Sequence, residues 1–218
     1  AVVEASAGRA ADAVDRVGHL FEATDGRAFY HASLAGALAL QVLGRPGEGA
    51  DLAERGIAAH GRLGVQGRIF EVSLLSATRT IAMFEEGRGD EARPLAEAGF
   101  ELALDQEDDV GRSQYALALG LIGLDAGDAV ECVRRFREAE ARFRRDRHDG
   151  MTRWALGGLL FAQALLRDVE GAHATLAALD EIGPHPAAFS EAILERAKGW
   201  LLLAESDPEA AKAQIRLA

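Results

Sequence analysis

Apolar residues along this chain recur three and four positions apart, and the pattern breaks about every 40 residues. Phe70, Leu74, Ala77, Ile81 and Phe84 fall on one face of a helix, leaving Arg79 and Glu85 on others. Val130, Val133, Phe136, Ala139 and Phe143 make a second stripe, Ala172, Leu176, Leu179 and Ile182 a third, and Phe189, Ile193, Ala197, Trp200 and Ala204 a fourth. Alternation by two, the strand signature, runs nowhere for a useful length. Leu117, Leu119, Leu121, Ile122 and Leu124 are apolar nearly all round, as are Leu159, Leu160, Phe161, Leu165 and Leu166. These two segments are expected to be helices enclosed by neighbours on several sides.

The breaks fall where helix hairpins need them. Gly44-Arg45-Pro46-Gly47, Gly87-Arg88-Gly89-Asp90, Gly127-Asp128, Arg167-Asp168 and Ser206-Asp207-Pro208 join a residue that can close one helix to one that can open the next. Asp207 before Pro208 reads as an N-cap, and Asp128 with Glu131 has capping-box spacing. Longer separators are expected around Gly64 to Gly67, Asp105 to Gly111, His148 to Gly150, and Gly183 to Pro186. Successive short turns, marked at Gly47, Gly89, Gly127, Arg167 and Ser206, lie 42, 38, 40 and 39 residues apart. One hairpin cannot bury both of its faces, so such repeats must stack on one another. The expected fold is all-α: an α-solenoid of antiparallel helix pairs in one domain spanning 1–218, with repeats near 27–66, 67–107, 108–149, 150–186 and 187–218. The opening helix has no partner, which reads as a piece of a longer chain.

Composition narrows the function classes. The net charge of −11 repels phosphate, so direct nucleic-acid binding by this segment is not expected. A single cysteine, Cys132, makes no internal disulfide and fits a reducing, cytoplasmic setting; a half-buried structural thiol is its expected role. No apolar run approaches the roughly 20 residues of a membrane span, so no membrane partner is expected. The chain has no Asn and only two Lys, Lys198 and Lys212, a bias toward Ala, Gly and Arg that suggests a high-GC bacterial source.

Trp154, Gly158 and Phe161 occupy the tryptophan, small and aromatic positions of a tetratricopeptide first helix, and Ala172 and Leu176 follow in the second. The stretch 153–162, preceded by 136–143, resembles the tetratricopeptide-like region of large LuxR-type, MalT-like bacterial transcriptional regulators. The resemblance spans roughly residues 27 to 218. It implies a right-handed superhelix and a non-catalytic module that senses a small-molecule inducer or a protein partner. Such a module passes the change to a nucleotide-binding domain and a helix-turn-helix domain elsewhere in the same chain. Neither lysine has the flanks of a phosphate-binding loop, so ATP hydrolysis is not assigned to these residues. A free-standing interaction scaffold is the alternative, and self-association stays open under both.

In this architecture the first helix of each pair lines the groove. The groove candidates are therefore Tyr30, His31, Arg79, Arg112, Tyr115, Arg153, Trp154 and Glu195. Core packing competes with that role for Trp154 and Tyr115. Seven arginines crowd 134–147, and the pairs Glu131 to Arg135 and Glu138 to Arg142 have favourable i,i+4 order. The plain reading is a charge-laced exposed face; the alternative is a docking surface for an acidic partner or a neighbouring domain, because Arg144, Arg145 and Arg147 exceed the nearby acids. The histidines show no metal-ligand spacing, and an EF-hand begun at Asp105 puts Val110 where glycine is required, so neither metal nor cofactor is expected. The acids at 105–109 read as a solvated loop. An enzyme would need a constellation such as His31 with Glu71, for which no motif speaks.

Overall fold

The computed structural model describes residues 9–23, 26–62, 69–185 and 188–216. These form eleven α-helices and one 3-10 turn, and no strand occurs among the described residues. The helices are α1 (Ala10–Val17), α2 (Arg27–Val42), α3 (Pro46–Arg62), α4 (Ile69–Glu85), α5 (Gly89–Asp105) and α6 (Asp109–Asp125). After them come α7 (Ala129–Arg145), α8 (Asp149–Leu165), α9 (Val169–Ile182), α10 (Ala188–Ala204) and α11 (Pro208–Ile215). The chain divides into two compact units, residues 1–118 and 119–218. In the first unit helices pack in sequence order from α1 to α5, and α2 also touches α4. In the second, α8 packs against α7, α9 and α10, and α10 against α11. Enclosed in this way, α8 buries 14 of its 17 residues, as its all-round apolar sequence predicts.

From α4 to α9, helix starts advance by 20 residues, and each connection is a turn of three. The middle residue of the turn is left-handed: Gly87 at φ 88°, Glu107 at 54°, Gly127 at 76°, Arg147 at 58° and Arg167 at 57°. The third donates its N–H to a carbonyl of the helix just ended, for example Asp108 to Ala103 at 2.9 Å and Asp168 to Gln163 at 2.9 Å. This is the Schellman closure. Where that residue is aspartate, its side chain also opens the next helix, whereas Arg88 and His148 make no side-chain cap. Asp108 accepts from Gly111 N–H at 2.9 Å, Asp128 from Glu131 N–H, Asp168 from Gly171 N–H at 3.0 Å, and Asp207 from Ala210 N–H at 3.0 Å.

Several expectations need correction. The separators at Asp105 to Gly111 and His148 to Gly150 are no longer than the turns inside pairs, because Asp108 closes and opens helices as Asp128 does. Of the acids there Asp105 and Glu107 are exposed as a solvated segment requires, but Asp108 is buried in its cap. Val130 is 71% exposed, and Ala129 and Cys132 complete its stripe with Phe136, Ala139 and Phe143. Cys132 is fully rather than half buried, its thiol 3.3 Å from the Gly120 carbonyl. Trp200 is 39% exposed, and the buried face of α10 runs instead through Leu194, Ala197 and Leu201. Leu166 lies past the end of α8 and is exposed. The separator at 64–67, the side chains of Phe70 and Phe189, and Pro186 lie outside the described residues.

The shared turn geometry predicts mutations of opposite sign. Arg167→Gly should be neutral or stabilise by up to about 1 kcal/mol, because glycine adopts left-handed φ without strain. Gly127→Ala should destabilise by about 1 kcal/mol or more. Urea unfolding checks both, and equal effects at the two positions would contradict the turn assignment.

Candidate functional site

In the first unit, α4, α5 and the first part of α6 enclose an open cleft of about 410 Å³. From α4 come Val72, Ser73, Ser76 and Arg79, spaced so that one face of the helix supplies all four. From α5 come Leu95, Ala98, Gly99 and Leu102, and Gln106 follows in the turn. Tyr115 of α6 completes the lining. The buried stripe of α5 is Ala92, Ala96, Phe100 and Ala103. The cleft residues therefore form a second apolar stripe on that helix, with Leu95 41% and Leu102 55% exposed.

Gly99 sets how closely Tyr115 approaches α5. A methyl group on Gly99 would lie 2.3 Å from Tyr115 Cζ, so only glycine seats the ring there without displacement. Tyr115 is buried, and its hydroxyl is hydrogen-bonded to Ser76. Burial pushes the phenol above its ordinary range, the bond to Ser76 works against this, and the charge of Asp108 adds to it. Arg79 is the cation of the lining; its guanidinium reaches Glu54 of α3 at 3.3 Å, and Glu54 is 63% exposed. So open an ion pair contributes little, about 0–1 kcal/mol, and yields readily to a competing anion.

Of the eight groove candidates, the structure brings Arg79 and Tyr115 together in this cleft. Arg112 stands one turn before Tyr115 on α6, half-buried and not part of the lining. Tyr30 is buried in α2, with its ring 5.3 Å from that of exposed His31 and 5.1 Å from that of His60 on α3. The side chain of Glu71, once paired with His31 in the enzyme reading, lies outside the described residues. Arg153 is buried and clamps three elements: it bonds the Glu191 carboxylate of α10 at 2.9–3.1 Å, the Gly183 carbonyl at 2.7 Å and the Leu179 carbonyl at 3.3 Å. Trp154 is buried beside it in α8. Glu195 holds Lys198 at 2.7 Å and also bonds Gln214 of α11.

On α7, the pairs Glu131–Arg135 at 2.7 Å and Glu138–Arg142 at 3.1 Å form as their spacing predicts. Arg144 pairs with Glu140 and Arg145 with Asp146 at 3.1 Å, so both find local acids, and Arg147 occupies the left-handed turn position. Among the described residues no three His, Cys, Asp or Glu side chains gather in a metal-binding group. No described helix is long and apolar enough to cross a membrane.

Sequence reasoning missed the α5 wall, because it assigned recognition to first helices alone. The signal was present: α5 carries more apolar positions than one buried stripe requires. No family model, curated protein or solved structure matches the chain.

The electrostatics of Tyr115 can be read directly, since the chain has two tyrosines. In a Tyr30→Phe background, the phenolate absorbance should rise at a pH above the ordinary value of 10.0. Asp108→Asn, which keeps the helix cap, should lower that midpoint by removing the negative charge. A midpoint at or below the ordinary value, or one unmoved by Asp108→Asn, would contradict the assignment.

Proposed function

We propose that this chain is a non-catalytic recognition module, built as a right-handed α-solenoid with a repeat of about 40 residues. In this reading it is the sensor region of a LuxR-type bacterial transcriptional regulator acting in the cytoplasm. The observation that carries the recognition role is the cleft joining Arg79 and Tyr115 to the exposed Leu95, Ala98 and Leu102. Its lining holds hydroxyls, a phenol, an amide and one guanidinium, groups that suit the binding of a polar head. The resemblance of residues 153–162 to the regulators' helical region supports the wider assignment.

The mechanism is a shift in population. A ligand that contacts α4, α5 and α6 together favours whichever arrangement of these helices holds those contacts best, and flanking domains read the change. The affinity difference between the two states sets how far the equilibrium moves.

The decisive experiment is to sequence the complete reading frame and test its product. A regulator requires a phosphate-binding loop upstream, a helix-turn-helix downstream, and ATP turnover that responds to filling the cleft by Ala98→Trp. A frame lacking both flanking domains would overturn the regulator assignment in favour of a free-standing scaffold.

A further inference from the structure

Resting on the cleft's role as a recognition site, we propose that its ligand is a small amphipathic monocarboxylate: one anionic head on an unbranched or aryl apolar tail. The volume of about 410 Å³ lies in the range of small-molecule sites. Apart from Val72 on α4 and Gln106 in the turn after α5, the polar groups of the lining come from α4 and α6 and the apolar ones from α5. Ser73, Ser76 and Arg79 belong to α4, and Tyr115 of α6 bonds Ser76, while Leu95, Ala98 and Leu102 form the α5 wall. An occupant therefore needs a polar head at one side and an apolar body against the other.

Arg79 sets the charge of that head. Among the described residues it is the one ionised group in the lining, and a guanidinium suits a carboxylate through paired N–H donors. Its present partner is a carboxylate as well, the exposed Glu54 of α3, with which an anionic head in the cleft would compete for the guanidinium. Glu54 is thus a competitor whose departure into water costs little. Leu95 and Leu102, exposed in this state, gain from being covered by the tail.

Isothermal titration of the folded chain with octanoate, 1-octanol and octylamine tests this assignment, because the three share a tail and differ in the head. Octanoate should bind most tightly. Arg79→Gln should weaken octanoate by about tenfold or more while leaving 1-octanol within about twofold, as expected for a charge-assisted contact. Glu54→Gln should strengthen octanoate by up to about fivefold, since the competitor is gone. A purely structural role for the pair would not produce that gain. Unaltered octanoate binding in Arg79→Gln, or octylamine binding as tightly as octanoate, would overturn the carboxylate assignment. If 1-octanol or octylamine binds and Ala98→Trp blocks it while octanoate fails, the ligand class is wrong and the cleft remains a recognition site. If none of the three binds, both the ligand class and the recognition role of the cleft fall.

Discussion

The packing of the second unit depends on one ring edge held between two glycines. Phe136 of α7 is fully buried, and a methyl group on Gly120 of α6 or Gly158 of α8 would lie 2.6 Å or 2.3 Å from it. Neither position tolerates a side chain without moving the ring. Glycine in a helix interior costs about 1 kcal/mol relative to alanine, and a close seat for a buried phenylalanine offsets that cost by excluding water from a large apolar surface. The arrangement recurs elsewhere: Phe21 meets Gly36, Tyr115 meets Gly99, and Ile215 meets Gly199. These five are among the chain's 24 glycines, which composition alone would assign to loops.

The three-residue turn works alongside these seats. At each of the turns from 86–88 to 166–168 a left-handed residue follows the helix and the next residue completes the closure with its N–H, and where that residue is Asp108, Asp128 or Asp168 its carboxylate also caps the next helix. So short a link keeps consecutive helices antiparallel and adjacent. In the first unit both devices meet at the cleft. The Asp108 cap starts α6, the Gly99 seat positions the Tyr115 ring against α5, and the phenol thereby reaches Ser76 of α4. A polar corner and an exposed leucine wall result from packing rules that act throughout the chain.

Much of this was legible in the sequence, and the gaps have physical causes. The helical periodicity, the Asp128 and Asp207 caps and the two i,i+4 pairs on the arginine-rich helix depend on residues near one another in sequence, and each forms. The 20-residue step between helix starts stayed hidden because glycine occupies the left-handed position at 87 and 127, whereas Glu107 and Arg147 occupy it at the turns between. Glycine marked the turns at 87 and 127, and the breaks at 167 and 206 were read from Asp168 and from Asp207 before Pro208. Val130 and Cys132 exchanged expected roles because the stripes through 129 and 130 differ by one position, too little for periodicity to resolve. Arg79 and Tyr115 were identifiable as polar or aromatic groups on first helices. The α5 wall left only a surplus of apolar positions as its signal, since which of them stay exposed, Leu95 and Leu102 among them, is a property of the packed helices rather than of the segment.

A double-mutant cycle on the second unit tests the glycine-seat account most directly. Gly158→Ala alone should cost about 1–3 kcal/mol through overpacking against Phe136. In a Phe136→Leu background, where the ring edge is absent, the same change should cost far less, giving a coupling of at least about 1 kcal/mol in unfolding free energy. Additive effects, equal within about 0.5 kcal/mol, would contradict the claim that ring and glycine define each other's position.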